Sequence, residues 1–320
     1  MSTTIEVTFV RHGESTDNLR SVWAGWEDAP LSNHGMNQAN ALGASLADTP
    51  FAAIFASTLK RAHTTALALQ AGQAQAPPPL TTSPLLREQH FGIAEGHPWT
   101  MTPDASKPRA QLYAEGVFPV ITRREEGFPG GESLDDLARR AAQAVEALVM
   151  PAVWRAARAG EKGVRIAVVS HGLCISELIP ALLRKDANAP PRQDFRGLMN
   201  TAWTRVTVDV PGAKEGEPLE FTDADPPPLS VRVTHVNVHD HIDKIKRQQG
   251  GIGSAAHDPA QKDIRAFFGG EGVKGAKGAT EAQEHSASNA NDERAEVHKF
   301  RQLGRLKRLL ACMVHRVLDC

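Results

Sequence analysis

Cysteine is scarce in this 320-residue chain: only Cys174, Cys312 and Cys320 occur. They are odd in number and far apart, which excludes the paired framework of a small secreted domain and suits free thiols in a reducing compartment. An excess of either charge is missing as well, since 36 Lys and Arg face 37 Asp and Glu for a formal net charge of -1. No overall field draws the chain toward nucleic acid or an anionic membrane, so any cationic function has to be local. Long apolar runs are absent too. The best stretch, residues 164–183, is broken by Ser170, His171, Ser176 and Glu177, and fails as a membrane span. The opening "MSTT" passes directly into strand-like "IEVTFV", with no basic region ahead of an apolar one. The cytosol is therefore the expected compartment, with the nucleus left open.

What is present builds an ordinary core, with 41% hydrophobic and 23% charged residues. Short β-branched runs (5–10 and 52–56) alternate with helix-period segments near 34–48 and 58–71. That order predicts βαβ units and a mostly parallel sheet in an α/β fold. "VRIAVV" (164–169) is apolar on both alternating faces, as a central strand covered above and below must be. Ser32, Ser57 and Ser133 mark helix starts, the last with Asp136 three residues on as an approximate capping box. "TRVTVDV" (204–210) and "LSVRVTHVNV" (229–238) read as late strands. Residues 97–131 have no clean period and read as an excursion that could cover a site. Its Lys107, Arg109, Arg123 and Arg124 are candidates for binding a second anion. The domain is expected to span 1–245. Residues 246–295, rich in Gly, Ala, Ser and charge, read as a disordered linker. In 296–320, Val297, Phe300, Leu303, Leu306, Leu310, Met313 and Val317 recur at helical steps and predict a basic amphipathic helix. Docking on the body or self-association through 296–319 is its expected use, ahead of membrane binding.

Two stretches carry the chemistry. "FVRHGESTDN" (9–18) ends an apolar strand in Arg11, His12 and Gly13, and "IAVVSHG" (166–172) ends another in Ser170, His171 and Gly172. Open α/β sheets bind ligands beyond the carboxyl ends of their strands, so the two histidines are expected to face one crevice. Arg11, together with Arg61 one helical turn beyond Ser57, would make that crevice a cationic box for a phosphoryl group. The helix N-termini after Gly172 and Ser57 would add N–H donors. An uncharged imidazole among arginines can attack phosphorus, and "LLREQHFGIAEG" offers Glu88 or Glu95 as the proton donor for a departing alkoxide. His235, His239 and His241 share one strand parity but read as a wet strand end, so no metal is assigned. Cys174 reads as a small buried hydrophobe.

"RHGES" with Asn18, "LKRAHTTA", "LREQHFGIAEG", "GGES" and "SHG" follow one another in an order that resembles the histidine phosphatase superfamily, the phosphoglycerate mutase-like group. The resemblance covers roughly the first 240 residues. It implies a three-layer α/β/α sandwich, a phosphohistidine on His12, a phosphoryl group held by Arg11, Arg61 and His171, and Glu88 as the proton donor. Asn18 is implied as a further phosphate contact, with Gly13, Ser15, Gly25 and Gly172 in the substrate-binding lining. No metal and no cofactor are implied. Mutases of this group usually read "HGN" and Thr-Gly where this chain has "HGL" (171–173) and Ala24-Gly25. Both changes remove polar contacts and favour hydrolysis. "RHGESTD" and the few cysteines also depart from the secreted, disulfide-bonded branch. The expectation is a cytosolic phosphomonoesterase for a small phosphorylated metabolite. Mutase-type transfer and a non-catalytic phospho-ligand scaffold are the rivals.

Overall fold

The computed structural model describes residues 3–189 and 193–258. The chain enters as β1 (Thr3–Arg11), crosses through α1 (Asn33–Ser45), and returns as β2 (Ala53–Ser57). α2 (Lys60–Ala71) leads to β3 (Leu80–Ser83). A two-residue strand pair, β4 (Trp99–Thr100) and β5 (Phe118–Pro119), brackets the short α3 (Arg109–Ala114). α4 (Leu134–Ala144) and α5 (Met150–Ala159) are joined by a widened turn over Val145–Val149. Pro151 falls just after that turn; having no N–H to give, it favours a break in regular helix there. β6 (Val164–Ser170), α6 (Gly172–Leu183), β7 (Trp203–Val210) and β8 (Ser230–Val238) complete the body.

The main sheet has the order β3-β2-β6-β1-β7-β8. It is parallel from β3 to β1 and antiparallel at β7 and β8. Strand alternation sorts its side chains to two faces. Ile5, Val7, Phe9, Ile166 and Val168 pack with Leu137 of α4, Val153 of α5 and Leu178 of α6. Val10, Ala167 and Val169 pack on the other side with Leu42 of α1 and Leu69 of α2. The result is the expected α/β/α three-layer sandwich, with β1 and β6 at its centre.

Local starts follow side-chain chemistry. Ser32 Oγ accepts the Gly35 N–H at 3.0 Å, and Ser133 with Asp136 forms a full capping box. Ser57 differs from expectation: it ends β2, and α2 begins at Lys60. Its hydroxyl instead accepts the Leu59 N–H at 3.2 Å. The excursion is built on aromatic packing. Trp23 lies 4.7 Å from Phe91 and 5.2 Å from Phe128, and Tyr113 and Phe118 join them. Its cations are committed to carboxylates: Lys107 to Glu115 (2.7 Å), Arg109 (2.5 Å) and Arg123 (3.7 Å) to Glu126, and Arg124 to both oxygens of Glu177 (2.9 and 3.0 Å). These pairs offset the charge that made the four residues candidates for a second anion.

The boundary at 245 also moves. Residues 246–258 return to the body and form one compact unit with it, ending at Asp258. Arg247 grips Glu14 through both oxygens (2.8 and 2.5 Å), the Asn33 N–H donates to Ala255 O (2.9 Å), and the His257 N–H donates to Leu31 O (2.8 Å). Gly and Ser composition suggested a linker, but backbone pairing and one ion pair order this strap without an apolar core. The rest of the expected linker and the 296–320 helix lie outside the described residues. Among the described residues, no helix is long and apolar enough to cross a membrane.

Candidate active site

β1 ends where its backbone is gripped from two sides. The His12 N–H donates to Ser170 O at 3.0 Å, and the Thr201 N–H donates to the carbonyls of Arg11 (3.0 Å) and His12 (3.2 Å). The Asn200 side chain adds an N–H to His12 O at 3.1 Å. The turn after His12 then presses against α1, where a Cβ on Gly13 would stand 2.5 Å from Gly35 O. Gly13 was expected in the substrate lining. Its N–H instead donates to Thr65 Oγ1 at 3.0 Å, which makes it a packing residue.

The two histidines converge, with ring centroids 5.0 Å apart. His12 is 3% exposed and His171 is fully buried. Burial first, then the charge of Arg61, holds both imidazoles well below their ordinary pKa, and Arg11 adds to the effect. Each ring is therefore uncharged at neutral pH and carries one proton. His12 Nδ1 lies 2.6 Å from Gly13 O, an acceptor, so its proton sits on Nδ1 and Nε2 keeps its lone pair. His171 Nε2 lies 2.8 Å from Ser57 Oγ. That hydroxyl also accepts the Leu59 N–H, and where it gives its own proton to Nε2 the His171 hydrogen sits on Nδ1. Nδ1 is buried with no partner. His12 thus offers a lone pair, and His171 offers an N–H when Ser57 is the donor.

Two guanidinium groups flank them. Arg11 donates to Leu198 O. Arg61 donates to Gly25 O (2.7 Å) and Glu27 O (2.9 Å). In each, Nε is buried without a partner. Burial lowers the pKa of both, opposed most by Glu88. Glu88 is buried, and its oxygens accept the N–H groups of Leu173 (3.2 Å), Cys174 (3.0 Å) and Gln89 (3.0 Å). The first turn of α6 thus serves Glu88, and the Lys60 N–H of α2 serves Asp28 (2.6 Å). These donors were expected to face a ligand; protein carboxylates use them instead. The two guanidinium charges outweigh the single carboxyl group of Glu88 with or without its proton, and both rings are neutral, so the cluster favours an anion.

The remaining expected residues divide. Glu95 stands apart as an acceptor for loop amides: its oxygens take the N–H groups of Trp26 (2.8 Å), Glu27 (2.9 Å) and Phe91 (3.0 Å). Asn18 Oδ1 accepts from the Ser15 N–H (3.1 Å) and Asn200 Nδ2 (3.2 Å), tying Asn18 to the His12 loop. Ser15 Oγ is buried without a partner. Gly25 acts through its carbonyl on Arg61. At Gly172 an added Cβ would meet Arg11 Nε at 3.8 Å and Glu88 at 3.9 Å, so this glycine lines the box. Leu173 packs beside the aromatic nucleus of the excursion. Cys174 is buried, and burial pushes its thiol up to about 12, as befits an apolar filler. Sequence reasoning missed the roles of Ser57, Thr65 and Asn200. For Ser57 the signal was available, because it ends β2, the strand paired with β6 that runs into His171.

The sequence profile of the histidine phosphatase superfamily (branch 1) matches residues 7–214. A 2,3-bisphosphoglycerate-dependent phosphoglycerate mutase of Gloeobacter violaceus is 32% identical over 177 residues, 55% of this chain and 74% of its own. A probable phosphatase of Schizosaccharomyces pombe is 29% identical over 259 residues, 81% of this chain and 78% of its own. Among solved structures, a mycobacterial glucosyl-3-phosphoglycerate phosphatase in complex with VO3 superposes with a TM-score of 0.52 at 26% identity, over 72% of this chain and 98% of that one.

Proposed function

The chain belongs to the histidine phosphatase superfamily, and on that footing we propose that it is a phosphomonoesterase hydrolysing a small phosphorylated metabolite through a phosphohistidine on His12. In the first step the His12 Nε2 lone pair attacks phosphorus, the N–P bond forms, and the P–O ester bond breaks. Glu88 gives its proton to the leaving alkoxide, so a neutral alcohol departs. In the second step water attacks the phosphohistidine, Glu88 takes the proton of that water, and the N–P bond breaks to release phosphate. Arg11 Nε–H, Arg61 Nε–H and His171 Nδ1–H stabilise the equatorial oxygens on which charge builds up. Asn18, Ser15 and Gly172 are further contacts.

The observation that carries this reading is the pair of uncharged rings 5.0 Å apart, flanked by two guanidinium groups whose Nε atoms are buried without partners. Those charges supply what a metal would otherwise supply, and they repel a divalent cation. Activity is therefore expected to survive EDTA; complete loss that Mg²⁺ restores would contradict this. His12→Ala should lower turnover of an aryl phosphate by about 10³-fold or more. Retained turnover in that variant sinks the nucleophile assignment. Vanadate, shaped like the five-coordinate transferring phosphoryl, should inhibit strongly.

Mutase-type transfer is the second reading, favoured by the likeness to the Gloeobacter mutase. Leu173 and Ala24 offer no polar side chain to hold a second substrate group, which supports hydrolysis. Incubation with phosphoglycerates discriminates: released phosphate supports the phosphatase, relocated phosphate the mutase. Phosphate binding without turnover on any substrate would leave only a scaffold. A cytosolic location completes the proposal.

A further inference from the structure

Arg61 is 1% exposed, and both of its terminal nitrogens are tied to backbone carbonyls of one short loop, Gly25-Trp26-Glu27. A loop lacks the repeating hydrogen bonds that would fix where its carbonyls aim. Another group has to fix them. Glu95 accepts the Trp26 N–H at 2.8 Å on Oε1 and the Glu27 N–H at 2.9 Å on Oε2.

The carbonyl of Gly25 and the N–H of Trp26 belong to a single planar trans peptide, so they point in opposite directions. One end of this unit rests on Glu95 and the other on Arg61. A carboxylate drawing on the N–H also polarises the C=O, which strengthens its hold on the guanidinium. Close approach is a condition: a Cβ on Gly25 would lie 2.1 Å from Glu95 Oε1. The loop is pinned on a further side, where Trp26 Nε1 donates to Glu88 O at 2.8 Å.

We propose that Glu95 is a positioning residue for phosphoryl binding, which aims Arg61 through the Gly25–Trp26 peptide so that its Nε–H meets the bound oxygens. The proposal rests on the phosphoryl-binding reading of the box, and it gives a role to a carboxylate that motif reasoning could only weigh as a second proton donor.

The test is a double-mutant cycle read by calorimetric binding of inorganic phosphate to the full chain, with melting temperature as the check on folding. Glu95→Gln keeps the shape but sets an NH₂ against one of the loop N–H groups. It should weaken phosphate binding about tenfold, about 1.4 kcal/mol. In an Arg61→Lys background, where the charge remains but the fork is gone, the same change should cost less than about twofold. Arg61→Gln replaces the lysine variant if that one does not fold. Equal weakening in both backgrounds, or none in either, overturns the proposal. A wild type that binds phosphate and passes the cycle yet hydrolyses nothing would sink the enzymatic reading while leaving the positioning role intact. A wild type that binds no phosphate would overturn both.

Discussion

Gly13 O and Ser57 Oγ, neither of them a titrating group, decide what the two buried imidazoles can do. Gly13 O fixes the His12 proton on Nδ1 and leaves the Nε2 lone pair free, while Ser57 Oγ holds His171 Nε2 and leaves its Nδ1 without a partner. Neutrality of both rings has a measurable cost. Unfolded histidines protonate near pH 6.5, while the folded ones resist, so unfolding takes up protons as the pH falls below that value. Stability should therefore decline from about pH 6.5 downward, by up to about 1.4 kcal/mol per pH unit for each ring that stays uncharged. His34 and His241, lowered mainly by burial, add to the same slope. Urea midpoints between about pH 7 and about pH 5 check this, and His171→Asn should flatten the slope. A flat profile in the wild type would contradict the neutral pair. At this scale Arg11, His12 and His171 were legible because charged and ring side chains at the ends of apolar strands need a reason, whereas Arg61, on a helix, stood out only through the order of the motifs. Ser57 was read as a helix start, and its hydroxyl contact with His171 was missed because a serine at a strand end needs no special reason.

Between elements, the decisive contact joins the His12 turn to the first turn of α1. A Cβ on Gly35 would stand 2.0 Å from Glu14 O, and backbone atoms cannot move aside as a side chain can. Gly35→Ala should therefore cost about 2–4 kcal/mol and lower turnover by displacing His12, whereas an alanine at exposed Gly216 should leave turnover unchanged. Thermal melts and aryl phosphate kinetics on the pair report the difference. Periodicity and caps revealed α1 and α2 to within two or three residues and the start of α4, yet they could not reveal this contact. A glycine early in a helix looks like poor propensity until its neighbour is seen. The excursion was recognisable by its missing period, but its aromatic nucleus was not, since Trp23, Phe91, Tyr113 and Phe128 meet only in space.

For the molecule as a whole, composition placed the domain end too early because it measures apolar content, while residues 246–258 are held by polar and backbone contacts. Arg247 on Glu14 braces the loop that follows His12. A chain ending at Asp258 should keep its turnover, whereas one ending at Ile245 should lose about 1–3 kcal/mol of stability, with a fall in kcat. Equal kinetics for the two truncations would show the strap to be idle. The sheet order carries a consequence for biosynthesis. β1 leaves the ribosome first, yet its neighbours on both sides, β6 and β7, leave late. The emerging polypeptide carries His12 out long before His171 follows, and its apolar first strand has to wait for distant partners. A chain cut short before Trp203 therefore leaves β1 unpaired along one whole edge, an open strand prone to stray pairing.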